Sequence, residues 1–318
     1  MKAYIAQRIL YALVVMLLAA TLVFFMLRAI PGDPVAAMLG AEATPQAVAQ
    51  LRANLGLDKP FVIQYLIWMR NMAIAEMGVS IQNGQKVATL LVECLPRTIS
   101  IAFVSLCISL LIGLPAGIIS AVKRRSLADH SATVLAFIGL SMPNFWLGIM
   151  LILFLGVKLS WFPTIGYTPL SSGFAPWFKH IFLPSVAAGV PFAAVICRMT
   201  RSSLIEVLDE LYIATARAKG LSEKVVVLKH ALRNGLIPII TVIGIAFSLL
   251  LVGVVVIEEV FAIQGMGRLL IRGIINRDFP VVQACILFIA CTFVFANLFV
   301  DILYTMVNPK IRFESHER

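Results

Sequence analysis

The amino-acid sequence predicts an all-α protein that crosses a membrane several times. Of its 318 residues, 60% are hydrophobic and only 13% are charged, and the mean hydropathy is +0.96. Such a composition is far more apolar than that of a soluble domain. Apolar runs of about twenty residues are long enough to be membrane-spanning helices. We therefore predict six transmembrane helices, at Ile9–Leu27, Thr98–Val122, Ser131–Val157, Ile181–Cys197, Ile239–Ile257 and Val281–Val300.

The distribution of charge predicts how these helices are oriented. The net charge of +10 could suggest a nucleic-acid partner. The basic residues gather in alternate loops, near Lys2 and Arg8, at Lys123–Arg125, between Arg198 and Arg233, and near Lys310 and Arg312. The positive-inside rule places these segments, and both termini, in the cytoplasm, although three arginines between Arg268 and Arg277 fall on the other side. We therefore predict contact with membrane lipid and not with nucleic acid.

The first apolar run is predicted to be a retained membrane anchor, because it is longer than the apolar core of an ordinary signal peptide. The following segment, Pro31–Arg97, begins with a turn at Pro31–Pro34. Two short helices are predicted next, at residues 44–56 and 60–78, followed by an amphipathic stretch at 87–91. We expect this whole segment to lie on the outer face of the membrane or to lean on it.

Prolines and small residues lie inside the later spans. Pro115, Pro143, Pro184 and Pro191 are expected to kink or interrupt their helices. A membrane tolerates such breaks where neighbouring helices or a water-lined cavity satisfy the freed backbone groups. The stretch Gly113–Gly117 has small-xxx-small spacing, which predicts a close helix contact. Together these features favour a transporter over a passive anchor.

The segment Leu204–Pro238 is the longest charged interruption between two apolar halves of the later chain. Ser203 and Glu206 have capping-box spacing, which predicts that a first helix begins there. Leu208, Leu211, Tyr212 and Thr215 then recur on one face of that helix. Gly220 stands where a left-handed C-cap belongs, so the helix is expected to end there.

A second helix is predicted to follow in the same segment. Ser222 can cap it, and it carries Val225, Leu228 and Leu232. Asn234-Gly235 is expected to end it before the next span. The pair of helices is either a basic loop that only fixes topology or a docking element for a soluble partner.

The sequence contains no motif of an enzyme. It has no phosphate-binding loop, no zinc-protease motif and no nucleophile elbow. The five cysteines form no CxxC pair, and the span centres contain no acidic, basic or histidine residue. Proton-driven carriers usually have such groups at mid-membrane. If the protein moves a solute uphill, the energy must therefore come from another polypeptide.

Several blocks of sequence resemble one family of transport proteins. Tyr212–Leu221 followed by His230–Pro238 resembles the cytoplasmic EAA loop of binding-protein-dependent ABC importers, and more narrowly that of the peptide, glutathione and nickel importers. Further blocks that match the same family in order are Ile30–Val35, Leu55–Pro60, Leu95–Thr98, Ser141–Trp146, Glu259–Phe261, Gly265–Arg268, Arg277–Pro280, Asn297–Asp301 and Asn308–Arg312. Any one block would be weak, but their order over nearly the whole chain is specific.

The resemblance implies a permease subunit of the bacterial inner membrane with the type I ABC importer fold. It implies residues 1–94 as an anchor plus a periplasmic helical segment, 95–305 as the permease domain with a cytoplasmic loop at 200–238, and 306–318 as a cytoplasmic tail. The implied partners are a second, similar permease, two ATPase subunits and a solute-binding protein that is periplasmic or lipid-anchored. This chain would have no cofactor, because ATP and Mg would bind to the ATPase subunits.

The family also implies the residues that couple the permease to its ATPase. Carried over here, they are Tyr212, Ala214, Thr215, Ala216, Arg217, Lys219, Gly220 and Leu221, with Arg217 and Lys219 meeting a polar or acidic rim. Ala214 replaces the glutamate of the generic motif, as is usual in the peptide-importer branch. Ala75-Glu76 and Gln264 also depart from the family pattern, and both lie on the expected outer side. The sequence identifies no substrate-binding or metal-binding residue.

The expected function is half of the translocation pathway of an ATP-driven importer for di- or oligopeptides or related solutes, with no enzyme activity of its own. Glutathione and nickel-chelate importers share the same blocks and stay open as alternatives. Two functions of another class are also open: a gradient-driven secondary carrier, and a membrane scaffold that transports nothing. The empty span centres count against the first, and the proline-broken spans count against the second.

Overall fold

The computed structural model describes residues 2–29, 44–54 and 58–307, and its regular structure is helical. The helices are α1 (Lys2–Ala29), α2 (Pro45–Asn54), α3 (Phe61–Ala73), α4 (Val87–Val122), α5 (Leu127–Ser141), α6 (Asn144–Leu151), α7 (Phe174–Leu208), α8 (Leu211–Ala218), α9 (Leu232–Val260), α10 (Met266–Ile275) and α11 (Phe279–Val307). A π-helix at Ile152–Lys158 extends α6, a 3-10 turn covers Leu170–Ser172, and helical turns at Glu223–Val225 and Val226–Ala231 lead into α9. The predicted turn at Pro31–Pro34 and tail residues 308–318 lie outside the described residues.

The described helices agree with the predicted number of membrane spans. The segments long and apolar enough to cross a membrane are Ala6–Met26, Val87–Val122, Phe174–Leu208, Pro238–Val260 and Phe279–Val300. The pair Leu127–Ser141 and Asn144–Lys158 is also apolar enough but is bent by 100°, and it brings the number to six if it is counted as one broken span. The predicted span Ser131–Val157 is therefore wrong as a single helix.

The bend has a local cause at Pro143. Met142, the residue before it, is extended, with φ −77° and ψ 125°, so α5 ends there and α6 begins at Asn144. A proline disfavours helical geometry in the residue that precedes it and supplies no backbone N–H. The predicted interruption at this proline is confirmed, whereas Pro115, Pro184 and Pro191 lie inside continuous helices.

Two helices extend well beyond their predicted spans. α4 begins at Val87 rather than Thr98, and α7 covers Phe174–Leu208 rather than Ile181–Cys197. The added turns carry charged residues such as Arg97, which lower the hydropathy of the sequence without ending the helix. The domain boundary that we predicted at residue 94 lies inside α4.

The centre of the bundle is the contact between α4 and α7, the most extensive helix pair of the described chain. Gly113 and Gly117 of α4 face α7 so closely that an added Cβ would lie 2.6 Å from the carbonyl oxygens of Ala193 and Cys197, respectively. A side chain at either position would force the helices apart. The predicted small-residue packing face is confirmed.

The first span is attached to the bundle from two sides. α1 packs along α11, and the buried ring of Phe24 meets Tyr65 of α3 with ring centroids 5.2 Å apart. The hydroxyls of Thr21 and Tyr65 are hydrogen-bonded at 2.7 Å, and the indole N–H of Trp68 donates to Gln283 of α11 at 3.1 Å. The short helix α3 is thus fixed against the bundle.

The two ends of the bundle have different structures. The end that carries residues 123–126 and 209–231 is called the loop end, and the end that carries residues 159–173 and 261–278 is called the far end. The loop end holds α8, and the far end holds α10 and a short hairpin closed by a bridge between Val79 and Lys86. This arrangement places the predicted coupling segment at the opposite end from α10.

Candidate functional site

The coupling segment begins later than the capping-box pattern predicted. α7 continues through Ser203 and Glu206 to Leu208, and the separate helix α8 begins at Leu211. The predicted helix start at Ser203 is therefore wrong. Ser203 is buried, and its hydroxyl donates to the carbonyl oxygen of Gly235 at 2.8 Å instead of capping a helix. This contact with α9 keeps the residue inside the bundle helix.

The turn after α8 follows the prediction. Gly220 has φ +76°, in the left-handed region, and its N–H donates to the carbonyl oxygen of Arg217 at 2.9 Å. Only glycine adopts this geometry without strain. An added Cβ at Gly220 would meet no atom within 4 Å, so the requirement for glycine is set by the backbone and not by space.

The second predicted helix begins where expected but does not end where expected. Helical structure starts at Glu223, directly after Ser222, and continues through Asn234-Gly235 and Pro238 to Val260. The predicted end at Asn234-Gly235 is therefore wrong. Gly235 lies inside this helix and packs closely against α7, where an added Cβ would be 3.0 Å from Leu204. The coupling segment thus runs directly into a membrane span.

A small apolar cluster holds α8 against the bundle, and we call it the loop core. Its buried members come from α4, α7, α8 and the turns before α9, and they are Ala121, Leu204, Ile213, Ala216, Val226 and Ala231. Burial of such side chains is the main force that fixes a short helix. The opposite face of α8 carries Leu211, Tyr212 and Thr215, and Leu211 is 85% exposed. The face that the sequence pattern identified is therefore the exposed one.

The predicted coupling residues fall into three groups. Ala214, Thr215, Lys219, Gly220 and Leu221 are exposed. Ala216 faces inward and belongs to the loop core. Tyr212 and Arg217 are exposed but engaged within the loop, as described next. Five of these residues are therefore accessible to a partner, and Ala216 is not.

Two polar contacts on the exposed side of the loop connect α8 to the residues that follow it. Arg217 Nε donates to Glu223 Oε1 at 2.7 Å, across the turn made by Gly220. The side-chain amide of Asn234 donates to the Tyr212 hydroxyl at 2.8 Å, which ties α8 to the start of α9. Arg217 is therefore already paired within the loop, in addition to any contact with a partner.

The chain matches models of one transport family over nearly its whole length. Residues 113–313 match "Binding-protein-dependent transport system inner membrane component", and residues 1–102 match the N-terminal part of the same family. The chain belongs to this family. It is therefore a multi-pass inner-membrane permease of the ABC importer class, which works with ATPase and other subunits.

Relatives of this permease cover it from end to end. A protein of Brucella abortus (strain 2308), named "Putative peptide transport system permease protein", is 41% identical over 99% of this chain and 100% of the relative. The glutathione transport system permease protein GsiC of Escherichia coli O6:H1 is 39% identical over 98% and 99%, respectively. The dipeptide transport system permease protein DppB of Alkalihalophilus pseudofirmus is 37% identical over 98% and 100%.

Solved structures support the fold of the permease. An inward-facing crystal form of the MetNI methionine ABC transporter aligns with a TM-score of 0.58 at 22% identity, over 69% of this chain and 96% of that chain. A second form of the same transporter gives a TM-score of 0.54 at 21% identity. The predicted type I importer fold with its helical membrane domain is confirmed.

The loop end of the permease contains a buried carboxylate, Asp129, that the sequence did not predict. Asp129 accepts two hydrogen bonds from Arg201, from Nε to Oδ1 at 2.7 Å and from Nη2 to Oδ2 at 2.9 Å. Ser120 donates to Oδ1 at 2.5 Å, and the backbone N–H of Arg125 donates to Oδ2 at 2.9 Å. Ser126 and Asp129 have capping-box spacing, and that signal could have identified the helix start. The distant partner Arg201 had no signal in the sequence.

A second missed carboxylate lies at the far end. Glu258, fully buried in the last turn of α9, accepts backbone hydrogen bonds from Gly267 at 2.8 Å and Arg268 at 3.0 Å. The Thr98 hydroxyl of α4 donates to it at 2.5 Å and accepts from the N–H of Met266 at 2.9 Å. Glu258 therefore satisfies the free amides at the start of α10 and joins them to α4. Its place at a span end was visible in the sequence, but its partners were not.

Proposed function

We propose that this permease forms half of the translocation pathway of an ATP-driven importer for di- or oligopeptides or related small solutes. The relatives named for peptide and dipeptide transport support this substrate class, since their similarity extends over nearly the whole chain. The relative named for glutathione transport makes a glutathione importer the alternative, and glutathione is itself a small peptide. A nickel-chelate importer is the remaining alternative within the family.

The proposal includes the partners and the orientation. A second, homologous permease completes the pathway, and two ATPase subunits bind ATP and Mg, so the permease itself hydrolyses no ATP. A periplasmic or lipid-anchored binding protein delivers the solute. Both termini and the loop end face the cytoplasm, in agreement with the basic residues Lys123–Arg125 and Arg233 at that end.

The observation that best supports the proposal is that α8 has one buried face and one exposed face. One face is anchored in the loop core through Ile213 and Ala216, and the other presents Leu211, Ala214 and Thr215 to the outside. A short helix with a small, partly apolar exposed face fits a cleft on a soluble partner. Lys219 adds a positive charge beside that face, suited to an acidic rim.

The connections of α8 support a route for mechanical force. The loop core joins α8 to α7 and to the turns before α9, and the hydrogen bond from Ser203 to Gly235 joins α7 to α9 directly. When the ATPase subunits close on ATP, α8 is pushed and these spans tilt with it. Such rigid-body tilting is how the pathway alternates between outward and inward openings.

A secondary carrier driven by protons fits the structure less well. The buried acids of the described residues are Asp129, Glu258 and Asp278. All three lie near helix ends and accept several hydrogen bonds from fixed donors, as Asp278 does from Ser80 at 2.5 Å and from Ile81 at 3.2 Å. A proton relay needs groups at mid-membrane that are free to exchange protons. ATP-driven transport is therefore the function we propose.

The test is to replace Gly220 with valine. We expect the Gly220→Val permease to insert normally but to lose about tenfold or more of its ATP-driven uptake, a change of the size typical of coupling between sites. The left-handed geometry costs a β-branched residue about 1–2 kcal/mol, so the turn after α8 changes shape. Uptake is measured in proteoliposomes that contain the permeases, the ATPases and the binding protein, with dialanine as the probe.

The matched control is Gly84→Val. Gly84 has φ +69°, close to that of Gly220, and an added Cβ there also meets nothing within 4 Å, but it lies in the far-end hairpin. The control carries the same backbone strain away from the loop and should keep normal uptake. Normal uptake by Gly220→Val at normal expression would refute the docking role of α8.

A further inference from the structure

We propose that the contact between Asp129 and Arg201 is a rigid joint that carries movement of α8 to α4 and α5. The joint consists of Ser120, Arg125, Asp129 and Arg201, with the geometry given above. It has this role only if the proposed ATP-driven function holds. In this proposal Asp129 and Arg201 pass on the movement of α8 to other helices, so both are positioning residues.

The joint has too many short hydrogen bonds to open easily. Only 5% of the Asp129 side chain is exposed, and all four of its hydrogen bonds come from donors within 2.9 Å. A bidentate guanidinium–carboxylate pair also fixes the angle between its two side chains. Separating it would leave a buried charge unpaired, which is strongly unfavourable. The α4–α5 turn and the end of α7 therefore move as one body.

Arg201 lies on α7 beside residues that contact α8 and α9. Within the next turn of that helix, Ser203 donates to Gly235 of α9 and Leu204 packs in the loop core against α8. One short stretch, residues 201–204, thus contacts α9, the loop core and the α4–α5 turn. Any displacement of α8 that reaches Leu204 is passed on through Arg201.

The neighbouring exposed ion pair cannot transmit movement in the same way. Arg124 of the α4–α5 turn and Asp209, just before α8, approach to 3.5 Å, but their side chains are 50% and 71% exposed. Exposed pairs are screened by solvent and contribute little. Although Arg124–Asp209 lies nearer to α8 in the chain, the buried joint is the connection that can transmit force.

The experiment compares variants of the joint in the complete transporter. Asp129→Asn keeps the shape but removes the charge, and Arg201→Lys keeps the charge but cannot make the bidentate contact. ATP hydrolysis and dialanine uptake are measured in the same proteoliposomes, with co-purification of the ATPase as a check on docking. We expect normal co-purification and continued hydrolysis, while uptake per ATP hydrolysed falls about tenfold. A residue that only stabilises the fold would lower both activities together.

The control variant is Arg124→Gln, which removes the exposed pair on the same turn and should leave uptake per ATP unchanged. Unchanged uptake per ATP in folded Asp129→Asn and Arg201→Lys complexes would contradict the proposed role of the joint. A wild-type complex that takes up dialanine without ATP, or binds no ATPase, would instead refute the proposed function. The two failures are therefore distinguishable.

A second measurement leaves the joint intact and does not depend on how its variants fold. Spin labels are placed at Leu127→Cys and Ser202→Cys, both exposed and on either side of the joint, and background labelling is measured on the parent chain. We expect the same distance distribution with and without ATP and Mg²⁺, while labels on α8 and the partner permease change theirs. A change between positions 127 and 202 on adding ATP would show that the joint opens, which contradicts the proposal.

Discussion

The single side chain of Glu258 joins three helices at the far end of the permease. Its carboxylate lies so close to Gly265 that no Cβ fits there, and it bonds to the backbone of α10 and to Thr98 of α4. Without this acid, the first amides of α10 and the threonine hydroxyl would be buried without an acceptor. Burying such unsatisfied groups is among the few mechanisms by which a single substitution causes a large loss of stability.

We therefore predict that Glu258→Ala lowers the free energy of unfolding of the purified permease by about 3 kcal/mol, because it leaves several buried hydrogen-bond donors without an acceptor at once. Thermal unfolding in detergent measures the effect. The control is Glu93→Ala: Glu93 is exposed on α4, and surface substitutions of this kind change stability by less than about 0.5 kcal/mol. Equal melting temperatures for the two variants would contradict the prediction.

The sequence was least informative about which individual residues contact each other. A buried acid at a span end is visible in the sequence, but its partner is not: Asp129 and Arg201 are far apart in the chain, as are Glu258 and Thr98. The Ser203 pattern misled for a related reason. Capping-box spacing is a local signal, and the tertiary contact between Ser203 and Gly235 overrode it.

At the scale of elements, the pairing of α4 with α7 depends on small residues that let the two backbones touch. We predict that Gly117→Ala destabilises the permease by about 1–3 kcal/mol, since overpacking has costs of that size. Its added Cβ would lie 2.6 Å from both the carbonyl oxygen of Cys197 and the Cβ of Thr200. Thermal unfolding of the purified chain again provides the measurement.

The control for that variant is Gly253→Ala in α9. Gly253 also lies inside a long helix, but an added Cβ there meets nothing within 4 Å. Both changes gain the same helix propensity, so any difference between them reports packing alone. If Gly117→Ala is as stable as Gly253→Ala, the α4–α7 contact is looser than the structure indicates.

Elements were predicted well where one physical signal dominates. Hydropathy located the five unbroken spans of the described residues, because a bilayer requires long apolar helices, and Gly220 marked its turn because the backbone there requires a left-handed residue. Hydropathy could not give the full length of α7, whose ends are charged, or show that α9 continues through Pro238. A proline tolerated inside a packed helix and one that breaks a span look alike in sequence.

At the scale of the whole molecule, the two ends of the permease are built differently. The loop end has a short helix with one face in the loop core and the other exposed, and the far end is tied together by Glu258 and by Asp278, which accepts from Ser80 in the hairpin. Force applied at one end must therefore travel through α4, α7 and α9 to change the other. This division requires that the two ends lie on opposite sides of the membrane.

We predict that single cysteines at the two ends react from opposite sides. Leu211→Cys, at an 85% exposed position on α8, should react with a membrane-impermeant maleimide in inside-out vesicles but not in intact spheroplasts. Gln85→Cys, exposed in the far-end hairpin, should show the reverse pattern. The native cysteines Cys94, Cys197 and Cys285 are buried, and labelling of the parent chain sets the background. Labelling of both positions from one side would contradict the orientation, and with it any mechanism in which cytoplasmic ATPases push on α8.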